Sequence, residues 1–297
     1  MAKIFYSPQY CAASYSFDTT RKASWIAESL ISNPIDGVVV EEPQPLSPET
    51  VRETHTADYV NAIETGEPWS VASSQGFRWC RSLYPSVLSS NGGLVAAVRA
   101  ALEDGIAGTL SSGMHHARAG YGLGFCTFNG LAIAAKEAIR LGVGDVLILD
   151  LDAHGGGGTA SLISGEVRIA QLDIAVDQFD LSPDTIDMSG KGPIEYLTVL
   201  DALLKECRPG LCIYNAGMDV HEKDCGPRGF DANVIAAREV TVFEWASSRN
   251  IPIAYTLAGG YSSSQLPKES VVGLHRCTIR AAGHFSRKGD SCLAAAT

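Results

Sequence analysis

The sequence predicts an α/β fold of three layers, with helices on both faces of a mostly parallel central sheet. Three observations carry that expectation. Strand-like and helix-like segments alternate along the chain. One run, VLILDL at 146–151, is almost continuously apolar, as strands buried on both faces are. The strand-like runs also lead into loops rich in Asp, His and Gly, and open α/β sheets bind ligands outside the carboxyl ends of their strands.

In chain order, residues 3–7 (KIFYS) carry the aromatic and β-branched side chains of a strand. Residues 21–31 read as a helix. The triple valine 38–40 is a second short strand, and 47–55, opening Ser-Pro-Glu, starts as helices do. Residues 58–63 form another short helix, and 66–76 are expected to be an exposed loop. A long helix at 86–104 has small residues on one face, and a short strand at 108–111 runs into SSGMHHARAGYGLGF. The helix at 128–141 ends near Gly142. Strands follow at 146–151, 167–172, 211–215 and 253–257, with helices at 196–206, 235–249 and 270–285. No internal repeat, low-complexity linker or break in composition divides the chain, so 1–297 reads as one domain.

Composition bounds the function. With 23 basic and 33 acidic residues the net charge is −10, which disfavours a nucleic-acid-binding surface. The opening MAKIFYSPQY has no apolar leader, and no run of about 18 apolar residues could span a membrane. The eight cysteines (11, 80, 126, 207, 212, 225, 277 and 292) form no C-x-x-C pair and read as reduced thiols of a cytoplasmic protein.

The chemistry is concentrated in VLILDLDAHGGGGT (146–159), where Asp150, Asp152 and His154 stand at the end of a buried strand. Burying unpaired charge costs several kcal/mol, so this group needs a partner that offsets the cost. Asp152, His154 and the later Asp219 form a three-ligand set of the kind that leaves catalytic zinc an open position for water. Asp150, one step deeper, can accept a hydrogen bond from a histidine. One of the adjacent His115 and His116 can act as general base. Tyr261, after Gly259 and Gly260, can donate to a developing oxyanion, and the glycines let backbone pass close to the cavity. Residues 155–160 also fit G-x-G-x-x-(G/A), a dinucleotide-binding pattern, but Asp152 and His154 stand where that pattern wants apolar residues.

Taken in order, THTADYV (54–60), SSGMHHA (111–117), GFCTFNGLAIAA (124–135), DLDAHGGGGT (150–159), YNAGMD (214–219) and AGGYS (258–262) resemble the histone deacetylase superfamily over most of the chain. DLDAH and YNAG lean toward its bacterial and class IV-like members. The resemblance implies the arginase–deacetylase fold and zinc-dependent hydrolysis of an N-acyl amide, with an acyl-lysine peptide or an acylated small molecule such as an acetylpolyamine as substrate. It implies one Zn2+ on Asp152, His154 and Asp219, His116 as general base and later acid, and His115 as its electrostatic partner, bonded to Asp150. It further implies Tyr261 as the transition-state tyrosine and Gly124 and Phe125 as the wall of an acyl-lysine tunnel. A structural K+ would lie near the backbone of Asp150, Asp152 and His154, beside Gln171 and Leu172.

The chain departs from the family pattern at several places. Gly157 stands where the family carries the Asp or Asn that orients the second catalytic histidine, so His116 is expected to be under-supported. Gly155 follows the metal histidine, and Gln171 takes the place of a serine near the K+. Asp224-Cys225-Gly226-Pro227 replaces Asp-Pro-Leu-Gly, so the pocket is expected to be more open at Gly226, with His221 and Cys225 on a solvated loop near the mouth. Two rival readings remain open: a non-catalytic acyl-lysine or small-molecule binder, and a manganese ureohydrolase, which needs further carboxylates for a second metal.

Overall fold

The computed structural model describes residues 1–13, 15 and 17–294, and side chains as far as residue 286. Its strands are β1 (Ala2–Phe5), β2 (Val38–Glu41), β3 (Ile106–Thr109), β4 (Val146–Asp150), β5 (Ile169–Ala175), β6 (Ile186–Asp187), β7 (Leu211–Asn215) and β8 (Ile253–Thr256). They form one sheet in the order β2-β1-β3-β8-β7-β4-β5-β6, every pair parallel. The helices are α1 (Lys22–Ser32), α2 (Pro48–Arg52), α3 (Ala57–Thr65), α4 (Trp69–Ala72), α5 (Leu83–Asp104), α6 (Gly130–Arg140), α7 (Gly157–Ile163), α8 (Pro193–Glu206), α9 (Ala232–Ser248) and α10 (Lys268–Ala294).

Alternation along the central strands builds the three layers. Val146 and Ile148 of β4 pack into a core with α3, α5 and α6, while Leu147 and Leu149 pack into another with α1, α8, α9 and α10. Both faces of β4 are therefore apolar, which is why its sequence shows no polar alternation. Side chains start the helices where the sequence signals them. Ser47 caps α2 ahead of Pro48, Thr56 caps α3, and Asn129 caps α6 by accepting from the Ala132 N–H.

Two local expectations are corrected. The strand expected at 167–172 runs from Ile169 to Ala175, because Val167 lies in a turn and is 97% exposed. That shift sets Asp173 beside Asp150 in the β4–β5 register. The segment 66–76, expected as an exposed loop, contains α4; Ala72 and Gln75 are buried, and Gln75 O accepts from the Phe125 N–H. Its Gly, Pro and Ser content signals a loop, and tertiary contact overrides the signal. The glycine run after His154 opens α7, since a Cβ at Gly158 would lie 2.5 Å from His115 O. There, packing rather than helix propensity selects glycine.

The described cysteines are all free; Cys292 lies outside the described side chains. Among the described residues no helix is long and apolar enough to cross a membrane.

Ile148 is fully buried in the middle of β4. Ile148→Ala is expected to cost about 2–5 kcal/mol, read as a lower urea midpoint at unchanged slope. A shift under 1 kcal/mol would mean that the core relaxes around the lost methyls.

Candidate active site

Five loops after strand ends meet at one edge of the sheet. The loop after β3 brings His115 and His116; β4 ends at Asp150 and continues to Asp152 and His154. The loop after β7 brings Asp219, that after β8 brings Gly259, Gly260 and Tyr261, and that after β5 brings Asp177, Phe179 and Asp180. The sequence pointed to four of these loops; the one after β5 went unrecognised.

Asp152, His154 and Asp219 each turn a ligand-competent atom toward a common point, all within 4.8 Å of one another. His154 Nδ1 lies 3.0 Å from Asp152 Oδ1 and 3.3 Å from Asp219 Oδ2. The outer carboxylate oxygens are fixed by backbone: Asp152 Oδ2 accepts from Gly259 N–H at 2.7 Å, and Asp219 Oδ1 from Ala153 N–H at 3.0 Å. Burial opposes ionisation of Asp152, yet the charges of His115 and His154 hold its carboxyl well below the ordinary range. Asp219, buried beside the Asp152 charge, is pushed up instead. Asp219 Oδ2 makes no hydrogen bond. Two buried carboxylates thus stand side by side at His154 with one oxygen left unpartnered, an arrangement that a divalent cation would satisfy. The donor set fits such an ion.

Behind the ligands, His115 Nδ1–H donates to Asp150 Oδ2 at 3.1 Å, since a carboxylate can only accept. Asp150 Oδ1 takes the Asn215 side-chain amide at 2.8 Å. Burial disfavours the His115 cation, but Asp150 and Asp152 outweigh it and raise its pKa to about 9. His116 stacks beside it, ring centroids 3.9 Å apart. Burial, with the His115 charge, lowers the His116 pKa to about 4. The two rings are therefore shifted in opposite directions, His115 toward its cation and His116 toward the neutral form.

His116 has the orienting carboxylate that Gly157 denies it, from another loop. Its Nδ1–H donates to Asp180 Oδ2 at 2.8 Å, and Asp180 Oδ1 pairs with Arg118 at 2.5 Å. Asp180 adopts φ +56, a left-handed conformation uncommon outside glycine and Asn/Asp. The expectation of an under-supported His116 is thus overturned. Gly157 is occupied territory, since a Cβ there would lie 2.6 Å from Asp180 O and 2.7 Å from Asp180 Oδ1. No local pattern marks Asp180; it stands in the unassigned stretch after β5.

A cleft of about 380 Å3 opens above these groups, lined in part by Phe17, His116, Phe125, His154, Phe179 and Tyr261. Gly124 also lines it. With φ +51 and a Cβ position only 2.4 Å from the His116 ring, Gly124 admits no other residue. Gly259 is equally constrained, because its Cβ would fall against Asp219 Oδ2. Tyr261 stacks on Phe17 at 4.8 Å and receives its loop geometry from Asp224 Oδ2, which accepts the Tyr261 N–H. Burial, with the nearby Asp219 and Asp152 charges, holds its hydroxyl well above pKa 10 and so protonated. Behind it lies a lysine that sequence reasoning missed: Lys22 is fully buried and donates to Ala258 O and Gly260 O.

The mouth differs from expectation as well. Gly226 does not widen the pocket, because its Cβ position is filled by Val220 O and the wall there is Cys225. His221 is buried, its Nδ1 accepting from Lys223 N–H, so it is not part of a solvated loop. Asp173, unrecognised in the sequence, accepts from Gly156 N–H and Thr185 Oγ1, and burial with the Asp150 charge lifts its pKa to about 7.

Gly157→Asn, which an under-supported His116 would welcome, is expected instead to lower turnover by displacing Asp180. Asp180→Ala should lower kcat by about 100-fold with the fold intact, because the ring loses its orienting acceptor. Steady-state rates with circular dichroism check both; faster turnover in Gly157→Asn would mean that Asp180 does not serve His116.

A family model described as histone deacetylase domain matches residues 17–194. An uncharacterised protein of Picosynechococcus sp. is 31% identical over 251 residues, covering 77% of this chain and 82% of that protein. Histone deacetylase 2 of Arabidopsis thaliana is 29% identical over 287 residues, covering 88% of this chain and 74% of that protein. Among solved structures, the HD domain of HDA15 superposes with TM-score 0.75 at 16% identity, over 96% of this chain and 90% of that one. An acetylpolyamine aminohydrolase from Burkholderia pseudomallei superposes with TM-score 0.73 at 17% identity, over 96% and 99%. The parallel eight-stranded sheet is thus the arginase–deacetylase fold, and with a family match across more than half its length the chain belongs to the histone deacetylase superfamily.

Proposed function

We propose that the protein is a zinc-dependent deacylase that hydrolyses an N-acyl amide. The observation that carries the reading is the convergence of Asp152, His154 and Asp219 beside the His115–His116 pair, each ring held at Nδ1 by a carboxylate. A Zn2+ on those three residues supplies a Lewis acid that acidifies water and polarises a carbonyl.

The chain's own residues do the rest. Asp180 fixes the proton of His116 on Nδ1, so its Nε2 is free to take a proton from water and return it to the leaving amine. His115, hydrogen-bonded to Asp150, favours negative charge in the cleft when protonated. The Tyr261 hydroxyl donates to the carbonyl oxygen as it gains charge. The aromatic walls Phe17, Phe125 and Phe179 shed water from an acyl chain. The substrate in this reading is an acyl-lysine peptide or an acylated small molecule such as an acetylpolyamine, the enzyme is cytoplasmic, and 1–297 is one catalytic domain. A structural K+ beside Asp150, Asp152 and His154 also belongs to it; the buried, unpartnered Gln171 Oε1 supports that site. The binder reading rested on a missing orienting residue, a role Asp180 fills. Against a two-metal ureohydrolase stands the single three-ligand grouping among the described residues.

Zinc-loaded enzyme is expected to release amine from at least one of an acetyl-lysine peptide, a long-chain acyl-lysine peptide and an acetylpolyamine. No turnover on the whole panel by folded, metal-loaded protein would overturn the reading. Tyr261→Phe should lose about 10²–10³ in kcat, as removal of one oxyanion donor does, with an unchanged circular dichroism spectrum. Wild-type turnover would make Tyr261 structural. Asp219→Ala should abolish metal retention, and elemental analysis of wild type should give one ion per chain.

A further inference from the structure

The β4–β7 ladder ends just short of the metal-competent residues. Its last bond runs from Leu151 N–H to Asn215 O. Beyond it the two chains separate to form the cluster, leaving the carbonyls of Leu151, one residue before Asp152, and Gly217, two before Asp219, without strand partners. Both are taken by one side chain on α9. Arg238 Nη1 donates to Leu151 O at 3.0 Å, and Nη2 to Gly217 O at 2.7 Å.

Arg238 and its neighbour Glu239 are each 1% exposed. Glu239 Oε1 accepts from Arg238 Nε at 2.9 Å, lies 2.8 Å from Nη2, and also accepts the Tyr214 hydroxyl at 2.8 Å. Burying an ion pair costs several kcal/mol per ion before its attraction returns any of it, and well-packed apolar residues often serve stability as well. An apolar residue cannot donate to two carbonyls. A lysine offers no planar fork to hold them at a fixed spacing.

We propose that Arg238 is a positioning residue for the metal ligands: its guanidinium, aimed by Glu239 and Tyr214, fixes the separation of the loops that carry Asp152 and Asp219. The claim rests on the metal site proposed above and concerns no group that touches substrate.

The test is Zn2+ affinity of the apo protein, titrated against a competing chelator, beside the apo melting temperature. Arg238→Lys keeps the charge and loses the fork; it is expected to weaken Zn2+ binding about 10- to 100-fold, the usual loss when a partner behind a metal ligand is removed, in protein that still melts cooperatively. If Arg238→Lys does not fold, Tyr214→Phe, which deletes one hydroxyl on Glu239, should weaken affinity in the same direction by a smaller factor. Wild-type affinity in whichever of the two variants folds, with or without a lowered melting temperature, overturns the proposal and leaves Arg238 a purely structural contact. Asp219→Ala separates the two levels: wild-type affinity there removes the metal site itself, whereas lost affinity there with unchanged affinity in Arg238→Lys removes only the positioning role.

Discussion

The structure turns on negative charge gathered where a parallel sheet ends. Asp150, Asp152 and Asp219 are almost wholly buried, and Asp173 stands in register beside Asp150. Carboxylates so placed are tolerable only if each is hydrogen-bonded and the group as a whole is offset by positive charge. Much of the surrounding architecture answers that demand. Backbone N–H groups of Ala153, Gly156 and Gly259 point at the acids, His115 and His154 lie against them, and glycines stand where any larger residue would push the loops apart. The same acids raise the pKa of His115, whereas burial, with the His115 charge, lowers that of the histidine beside it.

The layers and most elements were legible in the sequence because they follow from local pattern. Val146 to Leu149 alternate between two apolar cores, so the strand announces itself as a continuous apolar run. The cluster was legible too, since Asp150, Asp152 and His154 interrupt that run and Tyr261 follows two glycines. What escaped was set by contacts distant in sequence. Asp180 lies 64 residues from His116, in a stretch with neither helical nor strand periodicity. The glycine at 157 read as a loss because the compensating carboxylate is invisible at any short spacing. Arg238 and Lys22 sit in helices where a charged residue ordinarily signals a solvated face; only the fold shows that both are buried with backbone carbonyls as partners.

Moving the histidine's carboxylate to another loop changes what that loop does. The segment after β5 is stitched to the glycine run by two backbone bonds, Gly155 N–H to Phe179 O at 2.9 Å and Gly157 N–H to Asp180 O at 3.0 Å. Phe179 meets both His116 and His154 edge-on, with ring centroids 5.0 and 6.0 Å away, and is 44% exposed at the mouth. The residue that greets an incoming molecule is therefore the chain neighbour of the residue that aims His116.

That adjacency joins recognition to proton handling through a single peptide bond. Where the orienting acid sits on the metal loop, the floor of the cleft is set independently of its rim. Here Phe179 and Asp180 share one short loop, bonded to Gly155 and Gly157, so a substitution that displaces its backbone moves the rim of the cleft and the acceptor of His116 together.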